Sequence, residues 1–173
     1  MQINDSQLDL VDSILLNPAK TLDGYQPHWT FQPGYRDFQL AWSVLEEDSG
    51  VERSQLRLRV PEQNPQWCSI SYLIRGQTVC RIDNDSGDTC KINPIFAQRI
   101  GLPPVVCGPH VHDWPENRQY VASSGVWDVP ARKPIDANFA NINDLFFWLC
   151  NHINIRIQTH NTPLDQPDVG LWG

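Results

Sequence analysis

The segment Cys107-Gly108-Pro109-His110-Val111-His112-Asp113-Trp114-Pro115-Glu116-Asn117-Arg118-Gln119-Tyr120 gathers imidazole, carboxylate, guanidinium and phenol groups within one short run. If His110-Val111-His112 is extended, both imidazoles point to one face, because side chains alternate along a strand. Two imidazoles so placed suit an acid and base pair, two ligands of a first-row metal, or recognition of an anion. A metal needs a third ligand. Cys107 has the parity of Val111 and faces away from both histidines unless Gly108-Pro109 breaks the strand. His28, Asp113, Glu116 and His152 are more distant candidates and stand at no recognised metal spacing, so the expectation is metal-free chemistry without a cofactor. His110 and His112 are then the acid and base. Arg118 and Tyr120, of one parity on a following strand, supply charge stabilisation and a hydrogen bond, with Glu116 beside them. Arg81-Ile82-Asp83 offers a further cation. The bland alternative is a decorated strand in which Arg118 pairs with Asp113 or Glu116.

Other chemistries lack a signature. The chain has no GxSxG elbow, P-loop or GxGxxG, and no cysteine lies in a nucleophile motif. The formal charge of −7 opposes a broad nucleic-acid surface. It suits a small anionic substrate only where arginines scattered from Arg53 to Arg132 converge in space, and it suits a basic protein partner directly. No run of apolar residues is long enough to span a bilayer, and the first residues do not resemble a signal peptide. The chain reads as soluble and cytoplasmic, its five cysteines as free thiols.

The elements that must position these groups are legible in part. Leu8, Val11 and Leu15 at helical spacing behind Asn4-Asp5-Ser6 predict a helix to Asn17, stopped by Pro18. Thr21 to Arg36 reads as a loop or edge strand anchored by rings. Phe38, Leu40, Trp42 and Val44 alternate with polar residues and predict a strand. A turn at Asp48-Ser49-Gly50 leads to a second strand over Leu56, Leu58 and Val60. Cys68 to Ile74 and Thr78 to Ile82 form a hairpin about Arg75-Gly76-Gln77, and Thr89 to Ile92 a short strand. Asn93 to Pro109 reads as a packed connection, and Arg118 to Trp127 as a strand beyond a Trp114-Pro115 corner. Ile142, Leu145, Phe146 and Leu149 mark a helix capped by Asn141, with His152 packed at its end. Together these predict one α+β domain over residues 1–158, an antiparallel meander of about five to seven strands between an N-terminal and a C-terminal helix, followed by an irregular tail over 159–173.

The run Arg81-Ile82-Asp83, Asn93-Pro94, then Pro109-His110-Val111-His112 and Glu116 resembles an uncharacterised group of small bacterial and phage proteins. These carry an arginine-hydrophobic-aspartate strand, an Asn-Pro turn and a Pro-His-x-His motif. The likeness spans roughly residues 66–155. It implies that His110 and His112 are the place to look, and it implies no substrate. Two functions follow as expectations: a metal-independent histidine acid/base enzyme acting on a phosphodiester or other anion, or an acidic interaction module of phage or mobile-element kind, accessory to defence, anti-defence or a toxin–antitoxin pair.

Overall fold

A computed structural model of the chain describes residues 3–46, 52–161, 164, 165 and 167, with the side chains of 52 and 53 outside that description. The alternation that begins at Asp37 folds as a meander of four antiparallel strands: β3 (Asp37–Glu46), β4 (Glu52–Pro61), β5 (Ser69–Ile74) and β6 (Gln77–Asp83). β5 and β6 turn on Arg75 and Gly76, both at positive φ, the twist that suits a tight hairpin. The expected turn at Asp48-Ser49-Gly50 lies outside the described residues. On the flanks, β1 (Lys20–Leu22) and β2 (Thr30–Gln32) both pair with β3, and β11 (Ile155–Arg156) adds in parallel to β1. On the other side β9 (His110–His112) pairs with β6, and β10 (Lys133–Pro134) pairs with β9. The fold class is α+β, with more strands than the sequence suggested.

Period-two alternation gives the sheet two unlike faces. Phe38, Leu40, Trp42, Leu56, Leu58, Ile70, Tyr72, Ile82 and Val111 are buried on one face. Against them pack α1 (Asp5–Leu16) through Leu8, Val11 and Ile14, and α4 (Ile142–His152) through Ile142, Leu145, Phe146 and Leu149. Trp42 stacks on Phe146 at 6.0 Å between centroids and donates its indole N–H to the Asp23 carbonyl at 2.8 Å. Both expected caps are present: Asn4 and Gln7 form a capping box on α1, and the Asn141 side chain accepts from two backbone N–H groups of α4.

The opposite face is polar and is read directly from the register, since partners across antiparallel strands share a face. One row runs Ala41, Arg57, Ser71, Arg81, His112 across five strands. The next runs Gln39, Arg59, Ser69, Asp83, His110. Arg57 and Arg59 of β4 and Arg81 of β6 therefore stand on one surface.

Two expectations fail. Trp114–Ser124 is a helix, α3, where a strand over Arg118–Trp127 was expected. Asp113 caps it by accepting from the Trp114 N–H, Pro115 stands in the first turn where its missing N–H costs nothing, and Gly125 ends it in the left-handed region. The buried residues Trp114, Asn117 and Val121 follow a helical spacing. Second, Cys90 and Cys107 are disulfide-bonded, not free. They are register partners of a small hairpin, β7 (Cys90–Ile92) with β8 (Val105–Cys107), separated by helix α2 (Ile95–Arg99). Cys68, Cys80 and Cys150 are free and buried.

Lys20 is buried on β1, its ammonium donating to the carbonyls of Ile14, Leu15 and Asn17 at the open end of α1. Burial pulls its pKa from 10.5 down to about 8, with Glu46 opposing. Between those values the unfolded chain holds this proton and the folded chain does not, so the Lys20 contribution to stability rises with pH, on the order of 3 kcal/mol by pH 10.5. Buried Cys68, pushed up to about 11, works in the opposite direction over the same range, as do Cys150 and Tyr72. The expected result is therefore a difference: urea unfolding from pH 7 to 10 gives wild type a more positive stability slope than Lys20→Met. Equal slopes would contradict it.

Candidate functional site

His110 and His112 lie on β9 with parallel fates: each is 1% exposed, and each ring directs Nδ1 at a backbone carbonyl. His110 Nδ1 lies 2.9 Å from the Gly108 oxygen and His112 Nδ1 lies 2.5 Å from the Val129 oxygen. A carbonyl only accepts, so each Nδ1 carries hydrogen. In the neutral imidazole that leaves Nε2 as a bare lone pair. The sequence builds the first contact through Gly108, whose φ of +74° turns the chain so that its carbonyl reaches back to a ring two residues on.

Both Nε2 atoms lie 3.3 Å from the same oxygen, Oδ2 of Asp83 on β6. The antiparallel register sets this meeting, with Asp83 opposite His110 and Arg81 opposite His112. Arg81 donates Nε–H to Asp83 Oδ2 at 3.0 Å and places NH2 2.8 Å from His112 Nε2. Burial works to raise the Asp83 pKa, but hydrogen bonding from whichever ring carries an Nε2 proton, together with the Arg81 guanidinium, holds its carboxyl far below the usual range. Desolvation lowers the His112 pKa and favours the neutral ring, against the pull of Asp83. His110 Nε2 is buried without a hydrogen-bond partner. So Arg81 satisfies one of the two converging lone pairs and leaves the other bare.

A cover closes over the rings. It runs from Val129 to Arg132 and is pinned by two buried asparagines. Asn117 of α3 donates to the Asp113 and Ala131 carbonyls and accepts from the Ala131 N–H. Asn93 donates to the Pro103 and Arg132 carbonyls and accepts from the Arg132 N–H. Arg132 comes close enough to Arg81, Asp83 and Asp85 to feel their charges, and its Nε is buried and unpaired. Asp85 Oδ2 lies 3.8 Å from His110 Nδ1 and also pairs with Lys91. Arg81, its side chain 37% exposed, is the part of the cluster most open to solvent.

The remaining predicted site residues are elsewhere. Arg118, on α3, pairs with Asp12 at 2.8 Å and Asp9 at 3.3 Å of α1, lining a groove of about 510 Å³ with Leu15, Trp114 and His152. It meets neither histidine, nor the Asp113 or Glu116 expected as its partners. Tyr120 stacks on Phe96 of α2 at 4.7 Å. Glu116 pairs with Lys133 at 3.0 Å. Arg118 and Tyr120 were placed with the histidines because Arg118–Trp127 reads as a strand in sequence, and the helix turns them away. His152 ends α4 as expected, stacked on Trp148, and its Nε2 lies 2.8 Å from Asp113 Oδ2. Cys80, Asp113 and His152 form a second group of converging ligand atoms, in which burial pushes the Cys80 thiol well above its ordinary range. Cys107 is excluded as a ligand by its disulfide. Asp83 was missed as a site residue, although its parity with Arg81 is legible in Arg81-Ile82-Asp83.

The fold and the site together define a small α+β protein with two tautomer-locked imidazoles and one carboxylate on the polar face of an antiparallel sheet. No protein-family model, curated protein or solved structure matches the chain.

Proposed function

We propose that the protein is an enzyme that activates water against a phosphodiester or another anionic substrate, with Asp83, His110 and His112 as its working centre and Arg81 beside them. The observation that carries this reading is the bare, buried Nε2 of His110 facing the Asp83 carboxylate. A buried polar atom left unpaired costs about 1–3 kcal/mol, and such costs concentrate where a site is built for a ligand. The exposed Arg57 lies on the same sheet face as Arg81 and forms a short guanidinium track with it, beside Arg59, which is ion-paired to the buried Asp37. An extended anion laid along that track meets guanidinium groups first and the imidazole–carboxylate centre at its end.

The test is turnover of a panel of single-stranded RNA, single-stranded DNA and an aryl phosphodiester. Activity is expected to fall at least about a hundredfold in His110→Ala and in His112→Ala. Arg57→Gln should raise KM while leaving kcat near wild type. Full activity in both histidine variants, or none on any member of the panel, would sink the enzymatic reading.

A second reading, a non-enzymatic interaction module for a basic partner, draws on a different observation. Ile92, Ile95, Ile100 and Val105 are exposed together on the hairpin and helix around the disulfide, on a chain of charge −7. Function that survives both histidine substitutions but is lost in Ile95→Glu with Ile100→Glu would favour it.

A further inference from the structure

We propose that Asp83, His110 and His112 bind a divalent first-row transition-metal ion, through the two Nε2 atoms and the Asp83 carboxylate. This deepens the reading of the same cluster as the working centre, and it replaces the metal-free chemistry expected from the sequence.

The inference stands on four observations. The first is tautomer. Backbone carbonyls of Gly108 and Val129 take both Nδ1–H groups, the arrangement that fixes ring orientation and directs Nε2 at an ion. Second, the three ligand atoms converge within 4.8 Å of one another, with the Arg81 guanidinium at one side and Arg132 near enough to Asp83 to feel its charge. Three electron-rich atoms in a buried site repel unless positive charge lies between them. Third, the spacing fits. A tetrahedral ion with bonds of about 2.0–2.2 Å holds its ligand atoms about 3.3–3.6 Å apart, and each Nε2 is 3.3 Å from Asp83 Oδ2. Fourth, His110 Nε2 is buried and unpartnered, aimed into that space. Two imidazoles and a carboxylate select a first-row ion such as Zn²⁺ or Co²⁺ over Mg²⁺ or Ca²⁺, which prefer sites made wholly of oxygen. Three protein ligands leave a fourth position for water or substrate.

Arg81 now acquires a definite part. Its NH2 group lies against the His112 lone pair that an ion would use. Being more than a third exposed, it can move outward when the ion enters. It then stands at the open position with Arg57 and Arg59 behind it along the sheet.

The test uses the full chain, stripped with a chelator and titrated with Co²⁺ followed by visible d–d absorption, and with Zn²⁺ by calorimetry. One ion per chain is expected, at micromolar affinity or tighter, with a rise of several degrees in unfolding temperature under excess Zn²⁺. Asp83→Asn, which preserves shape, and His110→Ala should each weaken binding at least about a hundredfold, whereas His152→Ala at the second cluster should leave it unchanged. No Co²⁺ spectrum in wild type would overturn the proposal, and so would binding that survives Asp83→Asn or is lost in His152→Ala. The result separates from the enzymatic reading: turnover by chelator-treated protein removes the metal and keeps the enzyme, while tight binding without turnover does the reverse.

Discussion

Asp83→Ala is expected to destabilise the chelator-treated protein by about 3–5 kcal/mol, measured by urea unfolding, because it removes the carboxylate on which Arg81, His110 and His112 converge. Asp83 Oδ2 accepts from Arg81 Nε at 3.0 Å and faces both imidazoles at 3.3 Å, in a place where both rings are almost fully buried. Without it, Arg81 loses its ion-pair partner beside His112, and the carbonyls of Gly108 and Val129 prevent the rings from turning to other partners. Asp83→Asn keeps an acceptor oxygen for Arg81 and should cost less, about 2 kcal/mol. A loss below about 1 kcal/mol in Asp83→Ala would mean that water replaces the carboxylate freely, so that the cluster behaves as a solvated surface.

The second large effect is expected at Asn117, which is fully buried on α3. Its amide makes three hydrogen bonds, to the Asp113 carbonyl and to both backbone groups of Ala131. Asn117→Leu fills the volume but supplies no partner, leaving a buried N–H and two carbonyls unpaired. The expected cost is about 3 kcal/mol. Ala131 lies two residues from Val129, whose carbonyl orients His112, so the same substitution should weaken Co²⁺ binding about tenfold without touching a ligand atom. A stability loss with Co²⁺ affinity intact would show that the cover is held independently of this side chain.

What the residues disclosed in advance follows from how local each signal is. α1 and α4 are legible because cap and periodicity agree within one short segment, and the meander from Asp37 to Asp83 because its strands largely alternate and the β5–β6 turn is tight. The histidine pair is legible because a strand of any register places His110 and His112 on one face. The partners of that pair are not. Asp83 reaches them only because β9 returns to the edge of β6 after a crossover through β7, α2 and β8, and no local pattern sets the register across such a connection. The disulfide is hidden for the same reason, since Cys90 and Cys107 meet only through that hairpin. α3 illustrates a different failure: few of its residues are buried, so its apolar stripe is sparse, and Tyr120-Val121 favours a strand by residue type. Its termini were the better signal. Asp113 before Trp114-Pro115-Glu116 and Gly125 after Ser124 are start and stop chemistry for a helix.

The outermost strands carry a consequence for how this protein can meet others. β10, β11 and β2 are each only two or three residues long, and β10 ends on Pro134, which has no N–H to offer a neighbouring chain. Main-chain pairing with a second copy, or with an extended peptide, would find only one or two hydrogen bonds before the ladder ran out. Growth by strand addition is thereby discouraged at both sides of the sheet. A stable partner would have to be recognised by side chains, on the arginine-bearing face or on the outer surfaces of the helices. That leaves the long central strands to work as a rigid platform for whatever binds across them.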